Sequence, residues 1–147
     1  MKRFLLTLTI ALIGLSSFAS NEETIVSEKA LQSFKSSFKD ASEISWSVSE
    51  SYFKASFTLN GQYVAAYYST EGEMIALTRN ISSLQLPIAL QASLKKGYDE
   101  FWISDLFELA NEEGTSYYIT LENAENKVVL KASANSDWSV FKKQRKS

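Results

Sequence analysis

The titratable side chains of this chain limit the chemistry that it can perform. The sequence contains no histidine and no cysteine. It therefore lacks the usual general base near neutral pH and the commonest metal ligand. Ordinary serine, cysteine and zinc hydrolase sites, which depend on imidazole or thiolate groups, are excluded. An enzyme of this composition would have to work with Asp, Glu, Lys, Tyr or Ser alone.

Pairs of carboxylates are the remaining candidates for acid–base chemistry. They are Glu71 and Glu73, Asp99 and Glu100, Asp105 and Glu108, and Glu112 and Glu113. A glycosidase would need two carboxylates facing one sugar, with the pKa of one of them raised by apolar surroundings. Most of these residues fall in predicted turns, where carboxylates are ordinarily solvated. No Asp-x-Asp-x-Asp-Gly calcium loop is present, so we expect neither a metal nor a cofactor, and no catalytic residue is assigned.

Aromatic residues supply the candidates for binding. Tyr63, Tyr67 and Tyr68 fall in one predicted strand, and Tyr117 and Tyr118 fall in another. Because neighbours in a strand point to opposite faces, one tyrosine of each adjacent pair is expected in the core and the other on the open side of a sheet. Cross-strand packing is the competing explanation, but tyrosine and tryptophan also bury large areas at interfaces. The candidate binding residues are Tyr63, Tyr68 and Tyr118, with Asp99 and Trp102 from the segment 98–102 between the second helix and the second sheet.

The first residues of the chain predict export. Lys2 and Arg3 form a basic start, and residues 4–15 are apolar with few interruptions, which is the order of a secretory signal peptide. Small residues at Ser17 and Ala19 predict cleavage after Ala19. The apolar stretch is shorter than the roughly 20 residues that a bilayer-spanning helix requires. We therefore expect a free protein in the periplasm or the medium, with no stable membrane insertion once the signal is removed.

Composition indicates one domain, residues 20–147, that is stabilised by packing alone. Without cysteine it forms no disulfides although it is exported, and aromatic residues, 13% of the sequence, can build its core. Loss of Lys2 and Arg3 leaves 13 basic and 17 acidic side chains, a net charge of −4. Nucleic acid is not expected as a partner, because its binding needs concentrated positive charge. The basic cluster at residues 142–146 is interpreted as a solvated tail, with an electrostatic role as the alternative.

The mature sequence repeats one order of elements twice. Apolar residues at helical spacing after Ser27 predict a helix over residues 28–38. Four strands with alternating apolar residues follow, and Asn60-Gly61 suits a type I′ hairpin turn between two of them. A second predicted helix, residues 87–96, precedes four more strands.

This repetition predicts an α+β fold of two tandem α-β-β-β-β units, residues 27–80 and 86–143. Each unit is expected to be a helix packed on a four-stranded antiparallel sheet, because that packing buries the apolar face of both. The two sheets then either join edge to edge or pack side by side with a groove between the units.

Several segments of this pattern resemble a known family. They are residues 34–38, Ile44-Ser45-Trp46, residues 52–57, Asn60-Gly61, Ala66-Tyr67-Tyr68, Glu71-Gly72-Glu73 and Leu86-Pro87. Together they resemble the PepSY-like exported proteins of Bacteroidetes, whose fold is likened to that of the β-lactamase-inhibitor protein. The resemblance spans residues 27–142 and consists of aromatic and turn positions, which are diagnostic of fold more than of chemistry. The inhibitor carries disulfides and this chain cannot, and no inhibitory residue carries over by position.

The resemblance implies a non-catalytic binding or inhibitory module. We therefore predict an exported protein, not an enzyme, that recognises a protein or peptide partner through a sheet face or groove. Two alternatives stay open. One is a small-ligand carrier or sensor in the periplasm, and the other is a hydrolase that uses carboxylates without histidine.

Overall fold

The computed structural model describes residues 26–147. The predicted signal peptide, residues 1–19, and the predicted cleavage after Ala19 lie outside these residues. The described elements are, in chain order, α1 (Glu28–Ser37), β1 (Ser42–Val48), β2 (Tyr52–Leu59), β3 (Gln62–Ser69), β4 (Met74–Asn80), a 3-10 turn (Ser83–Gln85), α2 (Ile88–Gly97), β5 (Trp102–Asn111), β6 (Gly114–Glu122), β7 (Asn126–Ser133) and β8 (Ser139–Arg145). Both predicted helices are confirmed to within one residue at each end. Neither of these two helices is long and apolar enough to cross a bilayer.

All eight strands belong to one antiparallel sheet, in the order β1 to β8. Of the two arrangements left open by the sequence, joining of the two four-stranded sheets edge to edge is the one observed, because β4 pairs with β5, with Leu77 opposite Ala110 and Asn80 opposite Phe107. The physical reason is that two separate sheets would leave β4 and β5 as edges with unpaired backbone N–H and C=O groups. Joining them edge to edge satisfies both rows of groups and removes two edges.

Both helices lie on the same face of this sheet. Residues of α1, β2 and β3 form one buried cluster, which includes Ala30, Phe34, Phe53, Phe57, Val64 and Tyr68, and Trp46 of β1 packs against it. Residues of α2 and of β5 to β7 form a second, which includes Leu90, Leu106, Ile119, Leu121, Val128 and Leu130. Leu77 packs against the first cluster and pairs with Ala110 on β5. Ala110 and Leu106 are an even number of residues apart, so they point to the same side of β5, and Leu106 belongs to the second cluster. The two clusters therefore share one side of the continuous sheet.

Helix α1 is attached to the sheet by aromatic packing. Ser27 caps the helix, because its hydroxyl oxygen accepts a hydrogen bond from the backbone N–H of Ala30 at 3.2 Å. The ring of Phe34 lies 4.9 Å from that of Phe57 and 5.4 Å from that of Trp46, in both cases edge to face. These contacts anchor the helix on β1 and β2 without any disulfide.

Helix α2 packs on the second half of the sheet, strands β5 to β7, and is also held there by a hydrogen bond. Its N-cap position is Pro87, whose ring already holds the φ angle near the value that a helix needs. Trp138, just before β8, donates a hydrogen bond from its indole N–H to the carbonyl oxygen of Leu90 at 3.0 Å. The sheet thus presents one side to both helices, and no element of residues 26–147 is packed over its opposite side.

Candidate binding site

The opposite side of the sheet is called the helix-free face. Partners in antiparallel register point to the same side of a sheet, so the pairing assigns side chains to this face without ambiguity. They include Ser45, Ser47, Tyr52, Lys54, Ser56, Thr58, Tyr63, Ala65, Tyr67, Ala76, Thr78, Trp102, Asp105, Phe107, Leu109, Ser116, Tyr118, Thr120, Glu122, Lys127, Val129 and Lys131. The face therefore carries small, hydroxyl, aliphatic and aromatic side chains together with charged side chains of both signs.

Strands β2 and β3 carry a first aromatic group on this face. The rings of Tyr52 and Tyr67 lie 5.6 Å apart, and the ammonium group of Lys54 lies 5.6 Å from the centre of the Tyr67 ring. Tyr63, further along β3, leaves 54% of its surface exposed. Fixed, exposed tyrosines of this kind lose little entropy when a partner covers them.

Strands β5, β6 and β8 carry a second aromatic group. Tyr118 is stacked on Phe107 with the ring centres 5.2 Å apart and the planes at 9°. The rings of Phe141 and Tyr118 are arranged edge to face, with their centres 5.5 Å apart and their planes at 89°. The ammonium group of Lys131 lies 5.5 Å from the centre of the Tyr118 ring. Three side chains from three other strands, Phe107, Lys131 and Phe141, thus contact Tyr118.

Trp102 begins β5 on the same face, and Lys146, which directly follows β8, packs against its ring. The ammonium group of Lys146 lies 4.8 Å from the centre of the indole ring and 2.8 Å from a carboxylate oxygen of Glu122, the register partner of Trp102. Lys127 approaches the same carboxylate at 3.5 Å. Hydrogen bonds from Lys146, which has the larger effect, and from Ser104 lower the pKa of Glu122 to about 2.

This carboxylate gives the protein an acid-sensitive contact. The pKa of Glu122 is lower in the folded chain than its ordinary value of 4.5, so its contribution to stability is complete above pH 4.5 and is lost as the pH falls towards 2. We expect the melting temperature of the natural protein to fall more steeply between pH 5 and pH 2.5 than that of Glu122→Gln. Thermal unfolding followed by circular dichroism across this range measures the difference, and parallel curves would contradict the expectation.

The structure distributes the five candidate binding residues over three environments. Tyr63, Tyr118 and Trp102 lie on the helix-free face. Tyr68 does not, and its assignment to the open side of the sheet is wrong. It pairs with Phe53 and is 0% exposed in the cluster beneath α1, so the neighbouring Tyr67 is the residue that faces outwards. The adjacent-pair pattern predicts one inward and one outward tyrosine, but only the register of the β2–β3 hairpin shows which is which.

The hydroxyl group of Tyr68 is buried without a hydrogen-bond partner among residues 26–147. Burial raises the pKa of Tyr68 to about 12, and an interaction with the Ser33 side chain, whose geometry is too poor for a hydrogen bond, opposes this rise only in part. Because an unsatisfied buried hydroxyl costs about 1–3 kcal/mol, we expect Tyr68→Phe to be at least as stable as the natural protein, with a gain of about 1 kcal/mol. Urea unfolding measures this change. A loss of more than about 1 kcal/mol would show that the hydroxyl is satisfied after all.

Asp99, the fifth candidate, lies away from the helix-free face. It is exposed at the rim of a groove of about 400 Å³ beside the C-terminal half of α2. Leu84, Leu94, Tyr98, Phe101, Ile103 and Leu121 form the apolar walls of this groove, and Gln91 and Lys95 join Asp99 at its rim. Asp99 and the three candidates on the helix-free face therefore belong to different surfaces.

The strand register separates one of the predicted carboxylate pairs, Asp105 and Glu108. Asp105 pairs with Thr120 on the helix-free face, whereas Glu108 pairs with Tyr117 on the helix side. Asn80 donates a hydrogen bond to Asp105 at 3.2 Å, and Arg79 donates two hydrogen bonds to Glu108, at 3.0 and 3.3 Å. Two carboxylates on opposite sides of one sheet cannot act on one substrate. Within residues 26–147, no group of three His, Cys, Asp or Glu side chains could hold a metal.

Two helices on one face of an eight-stranded antiparallel sheet define the class of fold, and solved structures share it. A BLIP-like protein from Bacteroides fragilis is 20% identical, with a TM-score of 0.68 over 81% of this chain and 85% of that one. A DUF2874 family protein from Bacteroides uniformis is 13% identical, with a TM-score of 0.72 over 82% and 89%. A candidate periplasmic protein from Bacteroides eggerthii is 14% identical, with a TM-score of 0.72 over 81% and 88%.

These structures confirm the predicted likeness to the β-lactamase-inhibitor-like proteins of Bacteroidetes. At such low identity the likeness is one of fold, and it transfers no residue roles. No protein-family model and no curated protein matches the sequence.

Proposed function

We propose that this chain is an exported, non-catalytic module that binds a protein or peptide partner through its helix-free face. The observation that carries the proposal is the concentration of exposed aromatic side chains on a sheet face that no element of residues 26–147 covers. Tyr63, Trp102 and Phe141 are each more than half exposed there. Large aromatic side chains that are held in place and left exposed are typical of the energetic centre of protein interfaces.

Export is part of the same proposal. The signal-like start of the sequence, with cleavage after Ala19, would release residues 20–147 as the working protein. A relative of the same fold is a candidate periplasmic protein, which supports that destination. The BLIP-like relative makes an enzyme the first kind of partner to test, with this chain as its inhibitor.

Site-specific photo-crosslinking in the cells that make the protein tests the proposal. A benzoylphenylalanine placed at Tyr63 or at Tyr118 is expected to capture the same partner, because both positions lie on the helix-free face. The matched control is the same probe at Lys35, which is exposed on α1 on the other side of the sheet. Capture from Lys35 alone, or no capture from either tyrosine position, would refute binding through this face.

The groove beside α2 supports a second candidate function, that of a small-ligand carrier. Its volume of about 400 Å³ and its largely apolar walls are in the range of small-molecule sites. Native mass spectrometry of protein purified from its own cells should then show a bound small molecule. Leu94→Trp, which fills the groove, should lose that molecule, and unliganded natural protein would remove this candidate.

A further inference from the structure

We infer that the β6–β8 end of the helix-free face recognises an acidic, aromatic- or aliphatic-containing segment of the partner. The site is the cationic aromatic patch, defined as Phe107, Tyr118, Lys131, Phe141 and Lys142. In this arrangement Lys131 and Lys142 bind carboxylates, while Phe141 and the exposed part of Tyr118 contact apolar side chains. The inference rests on the proposed function and specifies the chemistry of its partner.

Charge is distributed unevenly along the described chain, and this is the first support for the inference. Residues 26–147 contain 13 basic and 15 acidic side chains, yet six of the basic ones fall within residues 126–147, where Asp137 is the single acidic residue. Asp137 is occupied elsewhere, because it accepts hydrogen bonds from Ser93 at 2.6 Å and from the backbone of Trp138 at 2.7 Å. Strands β7 and β8 are therefore a local basic region on an acidic protein.

Ion pairing separates the basic residues of this region into two kinds. Lys127 and Lys146 share the carboxylate of Glu122. Lys131 and Lys142 form no salt bridge with any residue of the described range 26–147. Lys143 and Arg145 also form no salt bridge within residues 26–147, but they pair with Val128 and Asn126 on the helix side of the sheet. Lys142 pairs with Val129, two residues from Lys131 on the same side of β7, so Lys131 and Lys142 are diagonal neighbours on the helix-free face.

Two carboxylates of β5 and β6 lie on the same face. Glu122 is already bound by Lys127 and Lys146, which leaves Asp105 to be considered. Asp105 lies two residues before Phe107 on β5 and accepts a hydrogen bond from Asn80 at 3.2 Å. It therefore points to the β4 side of the patch, while Lys131 and Lys142 lie on its β7–β8 side. The free positive charge of the patch is thus at the β8 edge of the sheet.

The rings provide the second support, because they make the patch rigid and partly apolar. Tyr118 contacts Phe107, Phe141 and Lys131 at once, so these side chains lose little further freedom on binding. Phe141 leaves 62% of its surface exposed at the β8 edge. A lysine held against the Tyr118 ring, with Lys142 and an exposed phenyl group beside it, matches a peptide that alternates carboxylate and apolar side chains.

The same geometry disfavours a nucleic acid. The Tyr118 ring is stacked on Phe107 and covered by Lys131, so it is not open for a base to stack upon it. A strand of phosphates would also be repelled by the excess of acidic over basic side chains in the rest of the protein. Short-range carboxylate recognition needs only the local pair of lysines.

Fluorescence anisotropy with a designed peptide tests the inference directly. The probe is a fluorescein-labelled Glu-Tyr-Glu-Leu-Glu-Tyr-Glu peptide, compared with its analogue in which every Glu is Gln. We expect the Glu peptide to bind and the Gln analogue to bind at least tenfold more weakly, with affinity that falls as salt is added. The double variant Lys131→Glu with Lys142→Glu should weaken binding of the Glu peptide at least tenfold.

Lys35→Glu with Lys96→Glu is the matched control, because these residues are exposed on α1 and α2, away from the helix-free face, and the change in net charge is identical. This control should bind the Glu peptide within threefold of the natural protein, and both variants should melt within a few degrees of it. Equal losses in the two double variants, or no binding of the Glu peptide, would overturn the inference. Tighter binding of a labelled oligothymidine than of the Glu peptide would also overturn it.

Photo-crosslinking distinguishes a failure of this inference from a failure of the proposed function. If the probe at Tyr63 still captures the partner in the Lys131→Glu, Lys142→Glu protein, the face binds a partner and acidic recognition is wrong. If the probe captures nothing in the natural protein, the proposed function itself is wrong.

Discussion

Phe34→Ala is expected to lower the free energy of unfolding by about 3–5 kcal/mol, the range found when a buried phenylalanine is truncated. Phe34 is 3% exposed and its ring contacts the rings of Phe38, Trp46 and Phe57. Its removal leaves a cavity between α1 and the sheet that rigid neighbouring rings cannot refill. For a single domain whose total stability is typically about 5–15 kcal/mol, this is a large fraction.

Urea unfolding followed by tryptophan fluorescence measures this effect well, because Trp46 lies against the Phe34 ring. The matched control is Lys35→Ala, the next residue on α1, which is exposed and should change stability by less than about 0.5 kcal/mol. A loss of under about 1 kcal/mol for Phe34→Ala would contradict the view that aromatic packing, in place of disulfides, anchors this helix.

Gly72→Ala is expected to destabilise the protein by about 2–4 kcal/mol, for a reason that is separate from loss of packing. Gly72 has a φ angle of +89°, which side chains rarely adopt. An added Cβ atom would lie 2.8 Å from the backbone nitrogen of Ala30 and still closer to the Cβ atom of Lys29. The turn between β3 and β4 therefore touches the first turn of α1, and a methyl group there would push the helix away from the sheet.

Gly61→Ala separates the two causes. Gly61 has a similar φ angle, +78°, but an added Cβ atom there would meet nothing within 4 Å. Gly61→Ala should therefore lower the free energy of unfolding only through the strain of a side chain at positive φ, by about 1–2 kcal/mol. Chemical unfolding of both variants measures the difference, and equal losses would show that the contact with α1 is unimportant.

Local structure was predictable because it depends on local chemistry. Ser27 as a helix cap, helical spacing up to Phe38 and the Asn60-Gly61 turn each act within a few residues. Both helices lie within one residue of their predicted bounds, and Asn60 and Gly61 both have positive φ angles as the predicted turn requires. Three of the five candidate binding residues, Tyr63, Tyr118 and Trp102, also lie on the helix-free face.

The errors concern features that depend on distant residues. Alternation indicates that Tyr67 and Tyr68 face opposite ways, but the direction of each depends on pairing with β2 and on the position of α1. The contacts of Tyr118 with Phe107, Phe141 and Lys131 join four strands that are separate in sequence, and no local signal predicts them. Lys142 likewise reads as part of a basic tail in sequence, whereas β8 places it beside Lys131.

The sequence by itself determined the order of two helices and eight strands, the absence of imidazole and thiol chemistry, and the presence of tyrosines suited to binding. These properties follow from residue type and from periodicities of two and 3.6 residues, which act over short distances. The tertiary structure alone decided that β4 joins β5, that both helices cover one side, and that the aromatic and basic side chains of β5 to β8 share the other side. Strand pairing between distant segments makes these decisions, because only it fixes which side of the sheet each residue faces.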